Sequence, residues 1–175
     1  MRLDFRTFDV FTTSRFGGNP LAVVLGADTL TNRQMQTIAR EFNLSETIFV
    51  HAPKDKANTA SVRIFFPTAE IPFAGHPTIG CAILLASEKY KPGCSFETEI
   101  RLEEQAGLVP VKVTRIGEVP RAMFTAPVTP IAVDAQLPSS ADAARALALE
   151  PDDIGFDRHG ISVLLVALAW LYGGA

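Results

Sequence analysis

Hydrophobic and polar positions change their period several times along the chain. Residues 2–11 (RLDFRTFDVF) alternate partly at period two. Residues 20–25 (PLAVVL) form a short apolar run behind the turn signal Phe16-Gly17-Gly18-Asn19, so both segments read as strands. Thr31 offers an N-cap to a segment in which Met35, Ile38, Ala39 and Phe42 recur at helical spacing, which predicts an amphipathic helix packed on another layer. Residues 47–51 (TIFVH) and 61–66 (SVRIFF) are β-rich runs joined by a polar stretch carrying Lys54, Asp55 and Lys56, as expected of neighbouring strands linked by a solvated loop.

The pattern then changes in kind. Gly75-His76-Pro77 leads into residues 78–86 (TIGCAILLA), which lack a polar face until Ser87-Glu88-Lys89, so this helix must be buried nearly all round. Pro77 suits the first helical position, where a missing N–H costs nothing, and Lys89 and Lys91 sit near the carbonyl end before Pro92-Gly93. Strand-like runs follow at 95–102, 108–115 and 121–126. A sheet wrapped around a central apolar helix uses all of these, which makes the fold class α+β. From Pro127 to Pro138 the composition turns to Pro, Val, Ala and Thr, as in a connection. Ser140 is then expected to cap a short helix over 141–149, ahead of an acidic loop at 150–157. The expected division is a first domain over 1–126, a connection over 127–138 and the start of a second domain over 139–175.

Composition narrows the function classes. With 175 residues, 47% hydrophobic and 20% charged, the chain can bury a core. Lys and Arg total 16 against 19 Asp and Glu, with no dense basic run, which argues against a nucleic-acid partner. The first residues carry alternating charge in place of a leader pattern, and residues 161–172 are twelve uncharged positions where a bilayer span needs about 20. A cytoplasmic protein with no membrane partner is the expectation. Cys81 and Cys94, the only two thiols, fit a reducing compartment. No nucleotide loop is present, since Gly17-Gly18 precedes a strand instead of opening a helix, and His76 and Cys81 lie about 140° apart on a helix, which disfavours a shared metal. No cofactor and no metal are expected.

Three residues could carry chemistry. His76 lies where a buried helix begins, so the free N–H groups of the first turn face outward with partial positive charge, a ready site for a carboxylate or phosphate. Gly75 allows close approach to that backbone, and an imidazole can give or take a proton near neutrality; a capping or loop histidine is the competing reading. Glu46 stands at a helix-to-strand junction beside an apolar run, where partial desolvation suits a carboxylate to proton transfer, although surface capping by Ser45 and Glu46 fits equally. Asn19 either orients a ligand or closes a turn.

Three blocks of sequence, taken in order, resemble one family. They are Asp9-Val-Phe-Thr with Phe16-Gly-Gly-Asn-Pro-Leu-Ala-Val-Val24, then Asn43-Leu-Ser-Glu-Thr-Ile-Phe-Val50, then residues 63–80 (RIFFPTAEIPFAGHPTIG). Together they resemble the phenazine-biosynthesis PhzF-like isomerases, with a diaminopimelate-epimerase-like fold: a mixed sheet rolled into a barrel around a central helix, built twice. The resemblance implies a cofactor-independent isomerase or epimerase that moves a proton on carbon of a small unsaturated amino-carboxylic acid held between two helix starts. It makes Glu46 the general acid/base and His76 the active-site histidine, with Asn19, Gly75, Pro77 and Thr78 around the substrate. Related two-thiol epimerases carry a cysteine where this chain has Ala74, so racemisation by a thiol pair is disfavoured.

Family members run longer, and the second-domain Asp and Gly-rich motif that the resemblance implies are absent here. The likeness is expected to stop near Asp157, with 160–175 an altered tail. An alternative reading is therefore a truncated, inactive protein that keeps only ligand binding or oligomerisation, and a metal hydrolase is a third. A second module of roughly 45 residues is below the size that folds alone, which predicts packing on the first domain or on a second copy, as in a homodimer.

Overall fold

The computed structural model describes residues 2–127, 131–132, 136–155 and 164–165. The expected apolar run at 161–172 falls outside these, apart from Leu164 and Leu165. The chain divides into two units, Met1–Pro127 and Val128–Ala175.

In the first unit, β1 (Asp4–Val10) and β2 (Asn19–Leu25) form an antiparallel pair with Val10 opposite Asn19 and Asp4 opposite Leu25. The chain crosses over through α1 (Asn32–Phe42) to β3 (Glu46–His51), which lies parallel to β2. Thr31 caps α1 as expected: its hydroxyl accepts the Gln34 N–H at 3.3 Å and the Gln34 side chain accepts the Thr31 N–H at 2.9 Å, a reciprocal pair that satisfies two otherwise orphan donors. β4 (Ala60–Phe66) pairs antiparallel with β3, and the short β5 (Ala69–Ile71) pairs with β4. After α2 (Gly75–Lys89) come β6 (Phe96–Glu104), β7 (Gly107–Arg115) and β8 (Pro120–Phe124), an antiparallel meander whose first strand lies parallel to β4. The order β1-β2-β3-β4-β6-β7-β8 ends at β1 and β8, so the mixed sheet curls into a half-barrel around α2. Between its two ends lies a cleft of about 960 Å³ whose floor includes Ile79, Gly80 and Ile83 of α2.

Helix α2 is apolar all round because sheet surrounds it. Ile79, Cys81, Ala82, Leu84 and Ala86 pack into one core with Leu21, Val23, Ile48, Ile64, Ile100, Leu102, Val109 and Val111. A Cβ at Gly80 would lie 2.5 Å from Leu21 Cδ2 and 3.0 Å from Val10 Cγ2, so glycine is what lets the helix press against β2. A second core on the outer face joins Met35 and Ala39 of α1 to Val24, Phe49 and Phe65. Strands β2 and β3, covered on both faces, therefore read as continuous apolar runs, whereas β6 and β7, covered by α2 on one face, alternate buried and more exposed positions.

Two helix starts differ from expectation. α2 begins two residues before Pro77, with Ala74 as the extended N-cap, so the proline occupies the third helical position. That position also lies in the first turn, where a missing N–H has no intrahelical partner to lose. In the second unit, α3 (Ser140–Leu147) is capped by Ser139 in place of Ser140, its hydroxyl accepting the Asp142 N–H, and it ends at Ala148 in the left-handed region. The acidic loop contains a 3₁₀ turn at Pro151–Asp153, and two short strands, β9 (Ile131–Ala132) and β10 (Leu164–Leu165), pair antiparallel.

Candidate active site

Two local events deliver the reactive side chains. α1 ends at Asn43, whose φ of 51° turns the chain out of the helix while its N–H still reaches the Ala39 carbonyl at 3.1 Å. After Leu44 and Ser45 the chain enters β3, where register with β2 sets Glu46 opposite Leu21 and so beside Pro20. Ser45 Oγ approaches Asn19 Oδ1 at 2.6 Å and the Pro20 carbonyl at 3.2 Å, which ties the start of β3 to the start of β2. His76, second residue of α2, completes the group from the other side.

Its Nε2 lies 3.3 Å from Glu46 Oε2. His76 is 7% exposed and the Glu46 side chain 20%. Both facing atoms are buried and neither makes a hydrogen bond, because the two groups approach without alignment for one. Burial pushes the imidazole below its ordinary value of 6.5, while the Glu46 charge and a hydrogen bond to the Pro20 carbonyl act in the opposite direction. A carbonyl only accepts, so a ring nitrogen that meets it must donate; we assign that donor to Nδ1, since Nε2 faces Glu46. A neutral His76 in this tautomer turns its Nε2 lone pair toward a carboxylate oxygen. Nε2 and the Glu46 carboxyl then face each other across 3.3 Å, an arrangement that can take a proton from a ligand and hand it on.

Helix α2 starts without a side-chain cap and with no acidic residue in its first turn. Pro77 has no N–H to offer. Thr78 directs its N–H to the Ala74 carbonyl at 3.3 Å, and its hydroxyl oxygen lies 2.7 Å from that carbonyl and 2.6 Å from Glu104 Oε1. The N–H groups of Gly75 and His76 are thus the ones the first turn turns outward, next to Nε2 and Glu46. Among the described residues, apart from its chain neighbours and its own helix backbone, the atom nearest a Cβ built at Gly75 is Phe124 Cζ at 3.7 Å, an ordinary contact that does not crowd this backbone. Asn19, Glu46, Gly75 and His76 are brought together, whereas Pro77 and Thr78 are buried in the helix behind them.

Neither thiol belongs to this group. Cys81 is wholly buried in the core, where desolvation above all, with the nearby Glu104 and Glu88 charges, pushes its proton affinity up, and Cys94 Sγ donates to the Lys91 carbonyl at 3.0 Å. Among the described residues no three His, Cys, Asp or Glu side chains gather as a metal-binding set. No helix among them is long and apolar enough to cross a membrane. Sequence reasoning missed three contributors. The Pro20 carbonyl and Ser45 act only through contacts between strands, and Glu104 reads in sequence as half of a charged pair at a strand end.

A half-barrel of mixed strands around a buried helix is the diaminopimelate-epimerase-like fold class. A predicted epimerase from Pseudomonas aeruginosa superposes with a TM-score of 0.73 at 28% identity, covering 94% of this chain and 56% of that one. The family model for phenazine biosynthesis-like proteins (PhzC-PhzF) matches residues 8–170, and the chain belongs to that family. An uncharacterized isomerase of Mesorhizobium japonicum is 43% identical over 159 residues, covering 91% of this chain and 51% of its own length. The trans-2,3-dihydro-3-hydroxyanthranilate isomerase of Pseudomonas chlororaphis is 44% identical over 106 residues, covering 58% of this chain and 38% of its own. The chain thus spans about half the length, or less, of these relatives. The family match runs to residue 170, so the likeness extends past Asp157, where it was expected to stop.

Proposed function

We propose that the Glu46–His76 pair moves a proton on carbon in a small amino-carboxylic acid whose carboxylate rests on the N–H groups of Gly75 and His76. One observation carries this reading: Glu46 Oε2 and His76 Nε2 are buried 3.3 Å apart, both without hydrogen-bond partners, at the uncapped start of a buried helix. Glu46 takes a proton from one carbon of the substrate as its C–H electron pair enters the unsaturated system. It returns a proton to another carbon as that system shifts, so nothing is oxidised or reduced and no cofactor is required. His76 offers Nε2 as a temporary proton acceptor, while Asn19 helps hold the start of β3, and with it Glu46, through Ser45. The activity for which the Pseudomonas chlororaphis relative is named supports an unsaturated aminocarboxylate as the substrate class.

On the same reading, residues 139–175 begin a second domain of the same kind, and the protein works as a cytoplasmic homodimer. Incubation with trans-2,3-dihydro-3-hydroxyanthranilate in D₂O, followed by proton NMR, tests the proposal. Wild type is expected to place deuterium on carbon and Glu46→Gln is not. Tight binding of 2-aminobenzoate with no exchange in wild type would instead assign the chain ligand binding alone.

A further inference from the structure

Glu104 is a buried carboxyl that the proton shuttle does not use. It ends β6 on the face turned to α2, in line with Ile100 and Leu102, and is 8% exposed. Its Oε1 lies 2.6 Å from Thr78 Oγ1, which lies 2.7 Å from the Ala74 carbonyl, and its Oε2 is buried with no partner. Thr78 has one hydroxyl proton and two acceptors beside it. Were Glu104 ionised, the carboxylate and the Ala74 carbonyl would compete for that proton, and a buried negative charge would keep one oxygen bare. With a proton on Oε1, Glu104 donates to Thr78, Thr78 donates to Ala74, and the chain of donors and acceptors closes as far as the helix N-cap.

We propose that Glu104 is a positioning residue: a neutral carboxylic acid beneath the first turn of α2 that keeps negative charge away from the helix start, so that an anion can bind above it. Its ionisation opposes that anion. The inference rests on the reading of Gly75 and His76 as a carboxylate site. Desolvation raises the group to about 7, against the pull of the Thr78 hydroxyl when that hydroxyl donates. Among the described residues no ion pair reaches Glu104: His51, Lys54 and Arg63 border a cleft that it also lines, but burial and the Thr78 hydroxyl set its proton affinity. Cys81 and His76 are the titratable groups of α2 on this stretch. Arg63 of β4 is bound to Glu70 at 2.6 Å, and Val109 and Val111 of β7 are apolar core. Lys112 of β7 pairs with Glu97 at 2.9 Å, and Glu103 accepts the Lys54 and Asp55 N–H groups. By linkage, a bound anion holds the Glu104 proton more tightly, and loss of that proton weakens the anion by the same factor, about tenfold for one pH unit of coupling.

The test pairs two measurements on the full chain. The ¹³C resonance of the Glu104 carboxyl is followed from pH 5 to 9, and the affinity for 2-aminobenzoate is measured by fluorescence at pH 6.0 and 8.5 in wild type and Glu104→Gln. The proposal expects a carboxyl still protonated at pH 6, wild-type affinity falling about tenfold over the interval, and a flat response in the variant. A Glu104 that is ionised at pH 6, or equal pH dependence in both proteins, overturns it. A carboxyl that titrates as expected in a protein that binds no 2-aminobenzoate at either pH also overturns it, and locates the failure in the anion site instead of in Glu104.

Discussion

Two carboxylates flank the first turn of α2, and their surroundings give them opposite tasks. Glu46 enters from β3 with its side chain 20% exposed, facing an imidazole nitrogen 3.3 Å away. Glu104 enters from β6 almost fully enclosed, facing a threonine hydroxyl and the core. The first is the more exposed and, on the proposed reading, exchanges protons with a ligand; the second is buried, and burial favours its neutral form. The same functional group becomes reactive or silent according to which side of one helix its strand approaches.

The sharpest way to break this comparison is to amidate each carboxylate. Glu46→Gln should cut solvent-deuterium exchange by about 100-fold or more, within the range of a lost general acid/base, whereas Glu104→Gln at pH 6 should retain it within a few-fold. Comparable losses in both would erase the distinction.

Stability against pH separates the two next. Glu104 has a folded value raised above its ordinary 4.5 to about 7, so between those limits the native state holds a proton that the unfolded chain has released. Stability then falls as pH rises through this window: the contribution is complete below about 4.5 and lost by about 7. Urea unfolding at pH 4.5 and 7.5 should show wild type losing roughly 3 kcal/mol relative to Glu104→Gln across the interval, an upper figure for a carboxyl that relaxes on ionising. A constant difference between the two proteins would mean that Glu104 is ionised throughout.

Smaller effects probe how the helix and the strands are held. Gly80→Ala sets a methyl 2.5 Å from Leu21 Cδ2 and should cost about 1–3 kcal/mol in urea unfolding by pushing α2 off β2, the strand that carries Pro20. Asn19→Ala removes the acceptor 2.6 Å from Ser45 Oγ and should cost about 1 kcal/mol; an unchanged midpoint would show that Pro20 alone holds Ser45.

The two carboxylates also differ in how plainly the sequence announces them. Glu46 sits at a helix-to-strand junction inside Asn43-Leu-Ser-Glu, and His76 sits at a Gly-His-Pro helix start, so local punctuation marks both. Glu104 hides because Glu103-Glu104 looks like a solvated pair after a strand expected to end at Leu102. Period two carried one step further, from Ile100 through Leu102, would have turned it inward. Elements followed the same rule. Thr31 and the helical spacing of Met35, Ile38, Ala39 and Phe42 made α1 legible, while the three-residue β5 lies below the length at which alternation can register, and α2 begins before Pro77 because Ala74 is the residue that stays extended. The meeting of Pro20, Ser45, Glu46 and His76 depends on parallel register between β2 and β3, which no local pattern encodes.

The central claim is that His76 keeps its proton on the Pro20 side and turns a bare Nε2 toward Glu46. Long-range ¹H–¹⁵N correlation of the imidazole at pH 7 reads this directly. The account predicts a neutral ring with Nδ1 protonated and an Nε2 shift characteristic of an unprotonated nitrogen, moving on addition of 2-aminobenzoate. A ring protonated on Nε2, whether as the other tautomer or as an imidazolium, would contradict it.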